Sequence, residues 1–357
     1  MADDKKYVIV KVRNLMHWVE VVQELQQYSE NIVKTGRFCE FASPWIYRGQ
    51  ANAKWVLCSS FERAVGSERW CSEHHDSLKK VEDMSIGLFK TRAHSMGLDN
   101  QVDDVDWLAQ MQHYGSPTRL VDFTEVPFVA LYNAVYEEYN AVYEEKDIGN
   151  FAIYAIARNY VLGVEYWKDP YQDEAEKISD HCEDLHYDLS NSRKIANWII
   201  NPRKNPEPED DTNAKILCVY PNFSNRRLEA QSGLFLMQRN LGGSFERDLE
   251  SVLECQKCES SMSEFKRNLR QEEYCRSLRM IRFEFSKRLR DDAKVLLHAA
   301  GVTHKSIYPD FEGLAKYVKE MSFVADNDGR FVHEDCSSRS KVNLQMHLPE
   351  IKAKGGH

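Results

Sequence analysis

The pattern of apolar and polar positions predicts a chain that mixes short strands with helices. Strands are predicted where branched and aromatic residues cluster or alternate, at 7–12, 45–50, 150–157, 216–220 and 277–285. Helices are predicted where apolar residues recur every three or four positions, at 15–28, 78–94, 124–142, 291–297 and 314–321. The second helix is expected to bury Val81, Met84, Leu88 and Phe89. This interleaving predicts an α+β fold with a mixed, mostly antiparallel sheet flanked by helices.

The same pattern predicts one domain. We expect residues 1–325 to form it, with a strand and a helix in residues 1–40 leading into its centre. Beyond about residue 326 the composition turns polar and irregular, so residues 326–357 are expected to form a loosely ordered tail.

Composition narrows the class of protein. The 357 residues are 42 % hydrophobic and 29 % charged, which is typical of a globular domain. A net charge of −9 argues against a broad nucleic-acid-coating surface. The start of the chain lacks an apolar signal core, and no apolar run is long enough to span a bilayer, so no membrane is expected. Nine scattered cysteines then indicate reduced thiols in the cytoplasm. Cys255 and Cys258 form a lone pair at metal spacing without two further ligands, and we expect no metal.

The segment 112–122 places four functional side chains around a forced turn: His113, Tyr114, Arg119 and Asp122. Gly115 suits a left-handed helix stop, and Pro117 prevents the helix from resuming. Asp106 is the expected cap of the preceding helix. Polar residues on an irregular joint between rigid elements indicate a binding or catalytic site. The alternative is a loop held by an Arg119–Asp122 pair beneath a packed tyrosine.

A second polar group, Tyr47-Arg48-Gly49-Gln50, follows an aromatic and branched strand. The planar guanidinium of Arg48 suits a phosphate or a carboxylate, and Gly49 lets a ligand or another backbone approach closely. The alternative is an arginine paired with a core carboxylate beside a bulge.

A third polar group lies in residues 226–236. Alternation places Arg227, Glu229 and Gln231 on one side of an extended segment, with Leu228 and Ala230 on the other. Glu229 and Gln231 can then present their polar ends to one small ligand. The alternative is a hydrogen-bonded edge strand.

Taken in this order, the three groups resemble the FRG domain, which is named for an aromatic-Arg-Gly motif. The segment from Ile307 to Leu314 is also similar to the C-terminal end of that family. The resemblance extends over about residues 15 to 320, and its most specific part is the segment 112–122. One departure is Val121-Asp122-Phe123, where the family pattern has Leu-Asp-Trp. The resemblance implies a prokaryotic or phage protein of a kind suspected of roles in defence or toxicity.

The layout is also similar, more distantly, to that of ADP-ribosyltransferases. This analogy implies NAD as substrate. Arg48 would bind the phosphates or the ribose, and the Gly49 backbone would meet the carboxamide. Tyr114 or Tyr47 would stack on the nicotinamide ring.

The catalytic roles would fall on the third group and on His113. Glu229 would contact the ribose 2′-hydroxyl and stabilise the developing oxocarbenium ion, while Gln231 would orient the acceptor. His113 would donate or accept a hydrogen bond on the cleft wall. Arg119 is grouped with the cofactor-binding residues, as support behind the cleft in a pair with Asp122.

Three functions therefore remain open. The first is the transferase, acting on a protein or nucleic-acid acceptor. The second is a non-catalytic module that senses a nucleotide or a phage component, with an antitoxin or a defence-system protein as a further partner. The third, a hydrolase such as a nuclease, is the least favoured because carboxylates and histidines do not cluster at metal spacing.

Overall fold

The computed structural model describes residues 5–34, 45–66, 68–98, 103–136, 149–161, 181–208, 214–220, 226–320, 323–325 and 331–333. Its main sheet has eight strands: β1 (Lys6–Val12), β2 (Trp45–Gln50), β3 (Leu120–Thr124), β4 (Phe151–Ala157), β5 (Ile216–Val219), β6 (Gly233–Gln238), β7 (Gln256–Ser261) and β8 (Leu278–Phe285). A separate hairpin pairs β9 (Phe323–Ala325) with β10 (Phe331–His333).

Helices occupy most of the remaining described chain. They are α1 (Leu15–Lys34), α2 (Ser60–Val65), α3 (His75–Ser95), α4 (Asp104–His113), α5 (Pro127–Tyr136), α6 (His181–Ile200), α7 (Arg226–Ala230), α8 (Phe245–Leu253), α9 (Met262–Asn268), α10 (Glu272–Ser277), α11 (Arg290–Ala299), α12 (His304–Ile307) and α13 (Phe311–Glu320). None of the described helices is both long and apolar enough to cross a bilayer.

The main sheet has the strand order β5-β6-β3-β2-β4-β8-β1-β7. Five of its neighbouring pairs run antiparallel, from β5–β6 across to β4–β8, whereas β1 runs parallel to both β8 and β7. The predicted α+β class with a mixed, mostly antiparallel sheet is therefore confirmed. Strand β7 was not predicted, because its residues are polar and mostly exposed and it forms by pairing with β1 along the sheet edge.

Two groups of helices cover one face of the sheet side by side. Helices α1, α5, α9 and α11 pack over the half that contains β2, β4, β8 and β1. Helices α3, α4 and α6 pack over the half that contains β3, β5 and β6. The opposite face is covered by α8 and by the segment between β2 and α2. We call the boundary between the two helix groups, which runs over β3, the seam.

One prediction about packing is wrong. Helix α3 forms as predicted, but it buries Leu78, Glu82, Ile86 and Ala93, while Val81, Met84 and Leu88 are exposed. The helix therefore uses a face about one residue away from the expected one. The predicted tail of residues 326–357 lies outside the described residues, apart from strand β10.

Candidate functional site

The central turn forms as the sequence predicts. Helix α4 ends at His113, Tyr114 follows, and Gly115 takes the left-handed conformation with a φ of +83°. Helix α4 begins one turn earlier than expected, because Asp103 is its cap and accepts a hydrogen bond from the Asp106 backbone N–H at 3.1 Å. The chain then enters β3, over which the seam runs.

Arg119 belongs to the core and not to a ligand-facing surface. Its guanidinium forms a two-pronged pair with Glu82 of α3, with 2.6 Å between Nε and Oε1. Its Nη1 donates to the backbone carbonyls of Gln238 at 3.2 Å and Arg239 at 2.9 Å. Only 1 % of Arg119 is exposed. The expected Arg119–Asp122 pair is therefore wrong, and the contacts of Arg119 do not fit a cofactor-binding role.

Arg48 fills an opening in the sheet. Strands β2 and β3 pair at Tyr47 and Thr124 and then separate. Into this opening Arg48 extends its guanidinium, which donates to the backbone carbonyl of Asp122 at 2.8 Å and lies 3.8 Å from the Asp122 carboxylate. Gln112 in turn donates to the same carboxylate at 2.6 Å. The first and second sequence motifs therefore meet at the opening between β2 and β3.

Tyr47 and Gly49 lie on the opposite side of β2 from Arg48, because side chains alternate along a strand. Tyr47 is fully buried in the core beneath α5. At Gly49 an added Cβ would fall 1.9 Å from the backbone oxygen of Ala130 in α5. Glycine is needed here so that the helix can approach the strand. In this structure neither residue can reach a ligand, which does not fit the NAD contacts expected of them.

The third motif is a helix, where the sequence pattern predicted an extended segment. Residues 226–230 form α7, and the chain turns through Gln231 and Ser232 before β6 begins. Glu229 is exposed on this helix. The Gln231 backbone oxygen accepts a hydrogen bond from the Thr124 hydroxyl at 2.6 Å, and its side-chain amide donates to the Ile307 carbonyl at 3.4 Å. Glu229 and Gln231 therefore do not project side by side from a strand.

Arg227 joins α7 to the C-terminal motif. Its Nε donates to Asp310 and its Nη2 to Glu312, both at 2.6 Å, and its guanidinium lies over the Tyr308 ring. These bonds to Arg227 hold the pKa values of both carboxyl groups below their usual range, and Lys316 adds to the effect at Glu312. The first turn of α13 is thereby fixed against α7.

A hollow of about 650 Å³ opens beside this cluster. We call it the seam hollow, and its lining residues come from α4, α7, α12, α13 and the loop between α12 and α13: His113, Arg226, Arg227, Lys305, Pro309, Asp310, Phe311 and Leu314. Arg226 and Lys305 are exposed, and neither makes an ion pair with another described residue. Phe311 is 90 % exposed. Two available cations therefore stand next to an aromatic ring.

His113 is the one residue of the central turn that lines the seam hollow. Burial lowers the pKa of His113, and the charge of Arg227 lowers it further, while Asp310 and Glu312 oppose the shift. The imidazole is therefore neutral near pH 7 and can donate or accept one hydrogen bond. Tyr114 stacks edge-to-face against it, with the ring centres 4.8 Å apart, and its own ring is mostly exposed.

The Arg48 network and the seam hollow are neighbours. Burial raises the pKa of Tyr308; the charges of Lys316 and Arg227 oppose this rise, and the charge of Asp122 adds to it. Tyr308 also lies under Arg227, which lines the hollow. Sequence reasoning missed Arg226, Lys305 and Phe311. The sequence could have indicated them, because cationic and aromatic residues occur close together in and beside the third and C-terminal motifs.

The described residues contain no group of three or more histidines, cysteines, aspartates or glutamates that could hold a metal ion. Cys255 and Cys258 are both reduced, and burial raises the pKa of each thiol.

Comparison with known families identifies residues 43–142 as a match to the FRG domain. This match spans β2 to α5 and includes the first two motifs. The chain contains an FRG domain. The family match is shorter than the resemblance seen in the sequence, which extended to about residue 320, and it leaves out the third and C-terminal motifs. Comparisons with curated proteins and with solved structures find no match.

Proposed function

We propose that this FRG-domain protein is a recognition module that binds a nucleotide in the seam hollow. The observation that carries the proposal is the pairing of two available cations, Arg226 and Lys305, with the exposed ring of Phe311. Guanidinium and ammonium groups bind phosphate through charge-assisted hydrogen bonds, and an aromatic face stacks on a base. The volume of about 650 Å³ falls in the range typical of small-molecule sites.

Two further observations favour recognition over ADP-ribosyl transfer. The transferase hypothesis needs Tyr47 and Gly49 to contact NAD, and both are enclosed beneath α5. It also needs Glu229 and Gln231 on one strand, and they lie on a helix and on the turn that follows it. A role in prokaryotic defence or toxicity rests on the family resemblance alone; under it, the nucleotide would be the signal that the module senses.

Calorimetric titration with ADP, ADP-ribose, NAD and inorganic phosphate tests the proposal. The parent protein is expected to bind the nucleotides more tightly than phosphate. Arg226→Ala and Lys305→Ala should each weaken binding by about tenfold, the value of one lost charge-assisted contact. The matched control is Arg267→Ala, which removes an exposed arginine of α9 at the far edge of the sheet. Equal binding by all four proteins would contradict the assignment.

Incubation with labelled NAD and cell extract separates the two functions. A recognition module binds the nucleotide and transfers no label. Label transfer that disappears in both Arg48→Ala and Glu229→Ala would establish the transferase and overturn the proposal.

A further inference from the structure

Helix α13 carries an exposed apolar stripe. Its members are Phe311, Leu314 and Val318, which are 90 %, 40 % and 58 % exposed. Their spacing of three and then four residues places them on one face of the helix. The other side of α13 packs so closely that a Cβ at Gly313 would fall 1.9 Å from the Tyr308 carbonyl oxygen. Contiguous exposed apolar side chains are a common feature of protein interaction surfaces.

The charges around this stripe are mainly positive. Cationic side chains on α13 and on the facing wall of the seam hollow are Arg226, Arg227, Lys305, Lys316 and Lys319. Of the acidic neighbours, Asp310 and Glu312 are held by Arg227, Glu312 is also held by Lys316 at 3.2 Å, and Glu229 is exposed on α7. This local excess contrasts with the net charge of −9 of the whole chain. An acidic partner is therefore attracted to this surface and repelled by most others.

Helix α3 offers an instructive contrast. It also has an exposed apolar stripe, formed by Val81, Met84 and Leu88. The charges along that helix are more evenly matched: Asp76, Glu82 and Asp83 are opposed by Lys79, Lys80, Lys90 and Arg92, and Lys90 also pairs with Asp104. Apolar exposure alone does not identify a partner, whereas apolar exposure beside unbalanced charge does.

We propose that the α13 stripe is the docking site for an acidic amphipathic helix of a partner protein. Apolar side chains of the partner would pack on Phe311, Leu314 and Val318. Its carboxylates would pair with Arg226 and Lys305 on one flank and with Lys319 on the other. This is the helix-in-groove mode of recognition, in which apolar anchors recur every three to four residues. The docking surface shares Phe311, Leu314, Arg226 and Lys305 with the proposed nucleotide site, and Val318 and Lys319 lie outside the lining of the seam hollow. Val318 therefore tests peptide docking separately from nucleotide binding.

Fluorescence anisotropy with two designed peptides tests the proposal on the full chain. The probe is a labelled helical peptide with leucine at three- and four-residue spacing and glutamate at its polar positions. The comparison peptide carries lysine in place of glutamate. The acidic peptide is expected to bind and the basic peptide to remain free. Failure of the acidic peptide to bind, or equal binding of both, would overturn the proposal.

Two substitutions localise the binding. Val318→Asp should weaken the acidic peptide by about tenfold or more, through both lost apolar contact and added like charge. Val81→Asp is the matched control on the α3 stripe and should leave binding unchanged. Val318 is exposed, so Val318→Asp is expected to fold, which circular dichroism checks. Unchanged binding in Val318→Asp would overturn the proposal.

Two further measurements distinguish an acidic helix from a nucleotide and from a second copy of the chain as the ligand of this surface. Calorimetry with ADP should give the same affinity for Val318→Asp as for the parent, so that failure of peptide docking and failure of nucleotide binding are distinguishable. Sedimentation of the parent should show no self-association that Val318→Asp disrupts. Such association would assign the stripe to a second copy of the chain and overturn the acidic-helix proposal.

Discussion

Arg119 and Arg226 show how differently two arginines of one chain are used. Arg119 is almost fully buried, and its hydrogen bonds to Glu82 and to two backbone carbonyls engage three of its nitrogens. Arg226 is exposed on the wall of the seam hollow and has no ion pair with a described residue. The first fixes the strand-helix joint and the second remains available to a ligand. Proximity to a family motif therefore does not by itself identify a ligand-binding residue.

The largest expected effect comes from breaking the buried pair. Glu82→Ala leaves the Arg119 charge in the core without its partner, which should lower the free energy of unfolding by about 3–5 kcal/mol. Urea unfolding measures the change. The neighbouring variant Asp83→Ala removes an exposed partner of Lys79 and should change stability by less than about 1 kcal/mol. A loss as small as that in Glu82→Ala would contradict the structural role of the pair.

The next effect comes from the close approach of α5 to β2. In Gly49→Ala the new methyl group would meet the backbone of Ala130, so the strand and helix must separate. We expect a loss of about 3 kcal/mol in the free energy of unfolding. Gly87→Ala is the control, since its Cβ meets nothing within 4 Å on the exposed side of α3 and should stabilise by about 0.5–1 kcal/mol. Full stability of Gly49→Ala would show that the glycine serves another purpose.

Arg48 should give an intermediate effect. Its side chain is mostly buried, and it satisfies the Asp122 carbonyl where β2 and β3 separate. Arg48→Ala is expected to lower the free energy of unfolding by about 1.5–3 kcal/mol, the usual range for a hydrogen bond to a charged group. Thermal and urea unfolding check this. If the variant were as stable as the parent but failed to bind ADP, Arg48 would belong to the ligand site.

Arg226→Ala should affect stability least and ligand binding most. An exposed arginine without an ion pair contributes less than about 0.5 kcal/mol to folding. The melting temperature should therefore stay the same while ADP affinity falls. A lower melting temperature with unchanged ADP affinity would show that Arg226, like Arg119, has a structural role and does not bind the ligand.

His113 should add a small dependence of stability on pH. Because its pKa is lowered in the folded state, the unfolded chain takes up a proton first as the pH falls. The contribution of neutral His113 to the free energy of unfolding is therefore fully present above the ordinary histidine pKa of 6.5. This contribution is lost as the pH falls through the pKa of His113 in the folded state. His113→Gln should show a shallower decline between about pH 7 and 5 in urea titrations. An unchanged slope would place the imidazole in solvent.

The local pattern of apolar and polar residues predicts much of the fold but little of the candidate functional site. The strands β2, β4 and β8 and the turn at Gly115 were predictable, because apolar runs and a glycine before a proline act locally. Helix α7 was not, since five residues with alternating polarity fit a helix as well as a strand. The partner of Arg119 lies 37 residues away along the chain, so only tertiary structure reveals it.

The seam hollow illustrates the same limit. His113 was predicted from its place beside a forced turn, whereas Phe311 and Lys305 belong to helices that follow almost 200 residues later. Only the packing of α12 and α13 against α7 brings these residues to the seam. Gly49 was correctly recognised as a site of close approach, but the sequence could not show that the approaching group is α5.

A crystal structure of the protein with ADP tests the central claim most directly. The account predicts phosphate density between Arg226 and Lys305, with the adenine against Phe311 and no change in the Arg119–Glu82 pair. Density beside Arg48 and Glu229, with the seam hollow empty of nucleotide, would contradict it.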